Sequence, residues 1–128
     1  MNYIKRLFSN RIGSLAYLVG ILIFAGGWWL IYESGIVNSS TAFGNYAQMT
    51  VMFALIVFMM AVIVRRLHDL NKSGWLSLLA FVPLAGSILG VILLFKPGNR
   101  GTNQYGAPSR GGKHIISELF VLEHLEKR

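Results

Sequence analysis

The sequence predicts an all-α protein that crosses a membrane more than once, with two full spans and a third apolar segment broken by proline and glycine. Three observations carry that prediction. Of 128 residues, 54% are hydrophobic and 13% charged, too few charges to cover the surface of a soluble domain of this size. The apolar residues gather into runs at about 14–32, 47–66 and 75–95, each near the roughly 20 residues a helical span requires. The cations, which give a net charge of +7, flank the apolar stretches. At this length one domain is expected: a membrane domain over about 1–108, then a basic linker and short amphipathic tail over 109–128.

Taken in order, residues 1–12 carry Lys5, Arg6 and Arg11 among Tyr3, Ile4, Leu7 and Phe8, the makings of a short interfacial helix. Residues 14–32 hold no charge. A basic start before an apolar run also describes a signal peptide, but this run exceeds the usual h-region of about 7–15 residues, and further spans follow it. Trp28, Trp29 and Tyr32 form an aromatic belt at its far end. Ala16 and Gly20 make one small-xxx-small pair for helix packing. Residues 33–46 read as a polar turn without Lys or Arg. The second span follows, with Met49, Met52, Met59 and Met60 as packing residues rather than a metal site.

The second span leads into Arg65-Arg66-Leu67-His68-Asp69-Leu70-Asn71-Lys72-Ser73-Gly74-Trp75, where most of the polar chemistry of the chain is concentrated. On a helix, Arg65, His68, Asp69 and Lys72 share one face. Asp69 is then flanked by Arg65 and Lys72, and is expected to pair with Arg65, Arg66 or Lys72. Asn71, Ser73 and Gly74 stop the helix, and Trp75 opens the next apolar run at interfacial depth. That run holds Pro83-Leu84-Ala85-Gly86 at its middle, where proline kinks or breaks a helix. Gly86 and Gly90 form a GxxxG pair. Residues 96–108 are rich in Gly, Pro and Asn and read as loop. The tail places Ile115, Leu119 and Leu122 on one face of a short amphipathic segment.

The chemistry that these residues allow is narrow. Without cysteine there is no disulfide, thiolate or zinc-thiolate chemistry. His68, His114 and His124 lack ligand spacing, so no metal or other cofactor is expected. Adjacent in sequence, the His68 and Asp69 side chains leave a helix about 100° apart and make no dyad by themselves, which argues against an enzyme. The basic residues flank spans and form no separate domain, which argues for anionic lipid over nucleic acid as their partner. Residues 14–32, 47–64 and 75–95 carry no charge, so the spans offer no ion path within one chain. An oligomer could still line a pore with Gln48, Thr50, Ser77 or Ser87.

Four segments resemble the motifs of a known family. Asn10-Arg11-Ile12-Gly13-Ser14-Leu15-Ala16-Tyr17 resembles its Gly-Arg-Ile-x-Arg-x-x-Tyr/Trp pattern, with Asn10 and Ser14 replacing the usual glycine and arginine. Arg65-Arg66-Leu67-His68-Asp69 with Ser73-Gly74-Trp75 resembles its central signature. Pro83-Leu84-Ala85-Gly86 and Asn103-Gln104-Tyr105-Gly106-Ala107-Pro108 resemble its last two elements. The family is the domain of unknown function 805, small bacterial inner-membrane proteins. The resemblance covers about residues 10–108 and implies a multi-pass inner-membrane location. It implies no activity and no catalytic residue.

The expectation is therefore an inner-membrane interaction or assembly protein, alone or as a homo-oligomer or with another membrane protein. Its binding face would carry Arg65, Arg66, His68, Asp69, Lys72 and Trp75, joined by the loop residues Asn103, Tyr105, Gly106 and Pro108. The alternative is a subunit of a small oligomeric channel or exporter. By the positive-inside rule the N-terminus faces the cytoplasm and residues 33–46 the periplasm. As a straight helix, residues 75–95 would measure about 31 Å, one span, and would leave Lys96, Arg100, Arg110 and Lys113 outside. Doubling back at Pro83–Gly86 keeps the cations and the C-terminus inside, so a re-entrant hairpin is expected over a kinked third span.

Overall fold

The computed structural model describes residues 8, 10–35, 41–109 and 115–120. Helix α1, Ser14–Glu33, has 20 residues and is about 30 Å long, the thickness of a bilayer's hydrocarbon core. It ends where Gly35 takes a φ of 70°. Helix α2, Ala42–Asp69, has 28 residues. It starts within the stretch that reads as a polar turn, because the Thr41 hydroxyl accepts the Gly44 N–H at 3.1 Å and caps the helix there. Its end is set by Asn71 in the left-handed region, φ 56°. The Asn71 N–H donates to the His68 carbonyl at 3.0 Å and the Lys72 N–H to the Leu67 carbonyl at 2.9 Å, the paired bonds of a Schellman motif.

The third apolar run is two arms. A 3-10 helix, Gly74–Phe81, is followed by Val82 in extended conformation and by α3, Pro83–Phe95. Pro83 occupies the first turn of α3, where its missing N–H costs no hydrogen bond. Both ends of the run meet the last turns of α2. A Cβ on Gly74 would stand 3.0 Å from Val64 and 3.3 Å from His68, and Arg66 donates to the carbonyls of Leu93 at 2.8 Å and Lys96 at 2.6 Å. The run therefore doubles back as a hairpin. Its turn, at Phe81 and Gly86, borders the same cavity as Phe24 of α1 and Ile56 of α2, about halfway along the two long helices. The Gly86 N–H is bonded to the Val82 carbonyl at 2.6 Å.

A short helix, α4, spans Ile115–Phe120. Although the sequence sets this tail apart, Leu119 is buried and packs into the core, and the Phe120 ring lies 6.2 Å from that of Phe58. The basic N-terminal residues Lys5 and Arg6, the linker cations Arg110 and Lys113, and His114, Leu122 and His124 lie outside the described residues.

The core joins Ile12, Ala16 and Tyr17 to Val62, Ile63, Leu67 and Leu70, and to Leu89, Leu93 and Leu119. Those from α1 and α2 lie in the halves of these helices beside the hairpin. The small residues expected at helix contacts act within the chain. A Cβ on Gly20 would stand 2.9 Å from Val62, and one on Gly86 2.9 Å from the Ala80 carbonyl oxygen. Ala16 is buried beside them, and Gly90 faces Tyr17.

The close backbone approach at the hairpin turn is testable. Gly86→Ala should destabilise the protein in detergent by about 1–3 kcal/mol, since backbone must move to admit the methyl group. Gly26→Ala, which meets nothing within 4 Å, should be neutral or raise stability by up to ~1 kcal/mol. Thermal melts followed by tryptophan fluorescence would compare them, and equal melting temperatures would remove the support for tight packing at this turn.

Candidate functional site

The last turn of α2 presents Asp69 inward, 1% exposed. Its Oδ1 accepts from Nε of Arg11 at 3.0 Å, and its Oδ2 accepts from Nη1 of Arg66. The remaining guanidinium donors turn to backbone carbonyls. Arg11 Nη1 reaches Gly101 at 2.8 Å and Gly106 at 3.1 Å, and Nη2 reaches Asn99. Arg66 Nη1 also reaches Ile12 at 3.3 Å, besides its bonds to Leu93 and Lys96. A planar fork with five donors can gather carbonyls from several segments at once, which an ammonium cannot do in the same fixed geometry. Backbone bonds complete the junction: Ile12 N–H to the Arg65 carbonyl at 3.4 Å and Asn99 N–H to the Asp69 carbonyl at 3.0 Å.

The loop residues dock on the same end of α2. Asn103 and Gly106 exchange backbone hydrogen bonds across a tight turn in which Gly106 has a φ of 116°. The Asn103 amide donates to the His68 carbonyl at 2.8 Å. The Tyr105 ring stacks on His68 with centroids 3.8 Å apart and planes 9° from parallel. His68, Asp69, Asn103, Tyr105 and Gly106, which the sequence offers as two separate motifs, thus form one site with Arg11. Pro108 is exposed at its edge.

Several expectations for this face change. Arg65 and Arg66 are buried, not turned outward. Arg65 Nη1 donates to the Leu119 carbonyl at 2.9 Å, and Asp69 pairs with Arg66 and Arg11 in place of Arg65 and Lys72. The reason is that the helix stops at Asp69, so Lys72 lies past the cap and off the helical register. Lys72 is exposed, and Trp75 is 80% exposed. Arg11 is a site residue that the sequence places among the basic residues before the first span and in the first family motif, not on the binding face. Its place in the first motif is the signal that singles it out. Gly98 is also part of the site, because a Cβ there would overlap the Asp69 carboxylate. The polar span residues turn inward or back on their own helices: Thr50 donates to the Tyr46 carbonyl at 2.9 Å, Ser87 to the Pro83 carbonyl at 2.8 Å, Gln48 to the Met52 sulfur at 3.8 Å, and Ser77 is buried.

The joined residues, from Arg11 to Gly106, lie within residues 7–107, which match the family described as "Protein of unknown function (DUF805)". The chain belongs to the DUF805 family. It is 33% identical over 69 residues to the inner membrane protein YhaI of Escherichia coli K12, across 54% of this chain and 58% of that one. It is 32% identical over 65 residues to the inner membrane protein YhaH of the same strain, across 49% and 54%. The chain thus spans somewhat over half the length of these relatives. No solved structure matches it. With α1 and α2 both long and apolar enough to cross a bilayer, this DUF805 protein is a multi-pass protein of the inner membrane.

Removing the buried carboxylate leaves two guanidinium groups facing each other without compensation. Asp69→Ala and Arg11→Ala should each lower stability in detergent by about 3–5 kcal/mol, as for other broken buried ion pairs. Lys72→Ala should cost less than about 1 kcal/mol. The double variant Asp69→Ala/Arg11→Ala should be clearly less harmful than the sum of the singles. Strict additivity would show that the two residues do not act as a pair.

Proposed function

We propose that this chain is a non-catalytic interaction or assembly protein of the inner membrane, whose cytoplasmic face engages anionic lipid headgroups. The observation that carries this reading is the division of the cations. Arg11, Arg65 and Arg66 are buried in hydrogen bonds that hold the bundle end together, while Lys72, Lys96 and Arg100 are exposed around it. With the hairpin doubling back, all six lie at one end of the two long helices. The opposite connection, residues 34–41, contains no Lys or Arg. The positive-inside rule then faces the basic end and the loop with Asn103 toward the cytoplasm. A non-catalytic role is supported by the state of the acid–histidine pair among the described residues: both Asp69 oxygens are taken by guanidinium groups, and the His68 ring lies flat on Tyr105. Assembly with a second copy or another membrane protein has the exposed α2 stripe of Phe43, Tyr46, Met49 and Phe53 available to it.

Orientation is accessible because the chain has no native cysteine. Ser34→Cys and Thr102→Cys should be labelled from opposite sides of the membrane by an impermeant maleimide. Labelling of both from the periplasm would refute the cytoplasmic placement of the basic end. Lipid preference follows from the exposed cations, each worth roughly 1 kcal/mol close to an anionic surface. Proteoliposome-derived protein should retain phosphatidylglycerol over phosphatidylethanolamine in native mass spectrometry. That preference should fall with salt and with combined substitution of Lys72, Lys96 and Arg100 by alanine. A preference unaffected by either change would exclude this face as its source.

A further inference from the structure

A cavity of about 460 Å³ lies between α1, α2 and the hairpin, within the usual range of ligand pockets, about 300–1,000 Å³. Its walls are mostly apolar, among them Ile21, Phe24, Met60, Phe81 and Leu89, and Tyr17 brings a side-chain hydroxyl to it. Tyr17 is 2% exposed, and its hydroxyl makes no hydrogen bond among the described residues. The oxygen lies 4.0 Å from where a Cβ on Gly90 would stand, so it faces α3 at a point where α3 offers no side chain. Phenylalanine would fill the same wall without a polar atom to satisfy. A buried phenol directed into an otherwise apolar cavity fits a ligand that is apolar along its body and carries a hydrogen-bond acceptor at one end.

The depth of the cavity narrows the choice. Tyr17 sits one turn inside the start of α1, and Phe24 is about 10 Å further along the helix axis. The cavity therefore runs inward from the interface through one leaflet, whose hydrocarbon is about 15 Å thick. The space opens outward where Ile56 and Phe81 are exposed, so a hydrocarbon chain can reach it from the bilayer. At the interfacial end, Leu93 borders the cavity and Lys96 follows it, exposed at the end of α3.

We infer that this cavity is a binding site for one phospholipid of the cytoplasmic leaflet. An acyl chain lies between α1, α2 and the hairpin, the Tyr17 hydroxyl donates to the ester carbonyl, and Lys96 meets the phosphate. The inference deepens the lipid reading above by naming a site within the bundle. Loss of salt-sensitive phosphatidylglycerol preference would count against the surface reading alone. Loss of the cavity site is read separately, in nanodiscs of phosphatidylethanolamine only.

The test is lipid stoichiometry by native mass spectrometry after extraction from such nanodiscs into mild detergent. The full chain should retain one phospholipid. Tyr17→Phe should lower retention about fivefold, the worth of one neutral hydrogen bond, and Gly90→Leu, which fills the cavity opposite the hydroxyl, should abolish it. In delipidated detergent Tyr17→Phe should melt no lower than the parent protein, because its hydroxyl makes no hydrogen bond among the described residues. Unchanged retention in Tyr17→Phe overturns the assignment, as does a lower melting temperature of that variant when delipidated. A change of oligomeric mass in Gly90→Leu without loss of lipid would also overturn it, making the cavity an interface between copies. Should Gly90→Leu fail to fold, the nearly isosteric Tyr17→Phe still decides the question.

Discussion

One carboxylate held between two guanidinium groups governs how the segments around the end of α2 meet. Asp69 is almost wholly buried at the end of α2, with Arg11 on one oxygen and Arg66 on the other. Charges taken out of water are costly unless every donor and acceptor finds a partner. Here the surplus donors are met by carbonyls from the approach to α1, the end of α3 and the loop that follows. Those carbonyls belong to segments that would otherwise have little reason to converge. The cluster thus turns the cost of burying charge into a specification of topology, because both arginines are satisfied only when these segments come together around Asp69.

The hairpin depends on that junction. Its two ends are held against Arg66 and the neighbouring turns of α2, and it reaches only partway along the long helices. Non-helical backbone deep in a bilayer is tolerated where its polar groups are satisfied or covered by protein. Pro83 has no N–H to satisfy, and the Gly86 N–H is bonded to Val82. The hairpin also explains why the buried residues crowd into one half of the molecule. Beyond its turn, α1 and α2 run as a pair, with Gly27 close against Leu55, and their exposed Trp28, Trp29, Phe43 and Phe53 face lipid. On a soluble protein so much exposed apolar surface would signal a binding site; in a bilayer it is the solvent-facing surface.

The basic character of the chain therefore has two separate physical meanings. Buried arginines are structural, and their charge is spent on Asp69 and carbonyls. Exposed lysines and Arg100 remain to act on the surroundings. A count of cations merges the two sets, and so the composition overstates the charge that this face presents to lipid or to a partner.

The spans, the helix stop at Asn71, the break at Pro83 and the membrane class were legible in the sequence, because each depends on local pattern: apolar runs, a residue that tolerates the left-handed region, a missing N–H. The shape of the third run was legible as a choice between two geometries, and the distribution of cations favoured the hairpin. The partners of Asp69 were only half legible. Arg66 lies three residues away, within helical periodicity, but Arg11 lies 58 residues away, and no periodicity links them. Nor could apolar residues of the spans facing protein be told from those facing lipid, since both environments select the same side chains. The sequence by itself determined which segments enter the membrane and where each helix stops. Only the tertiary structure decided which charges are buried, which loops they gather and where a cavity opens between the helices, because those outcomes come from the meeting of groups distant in the chain.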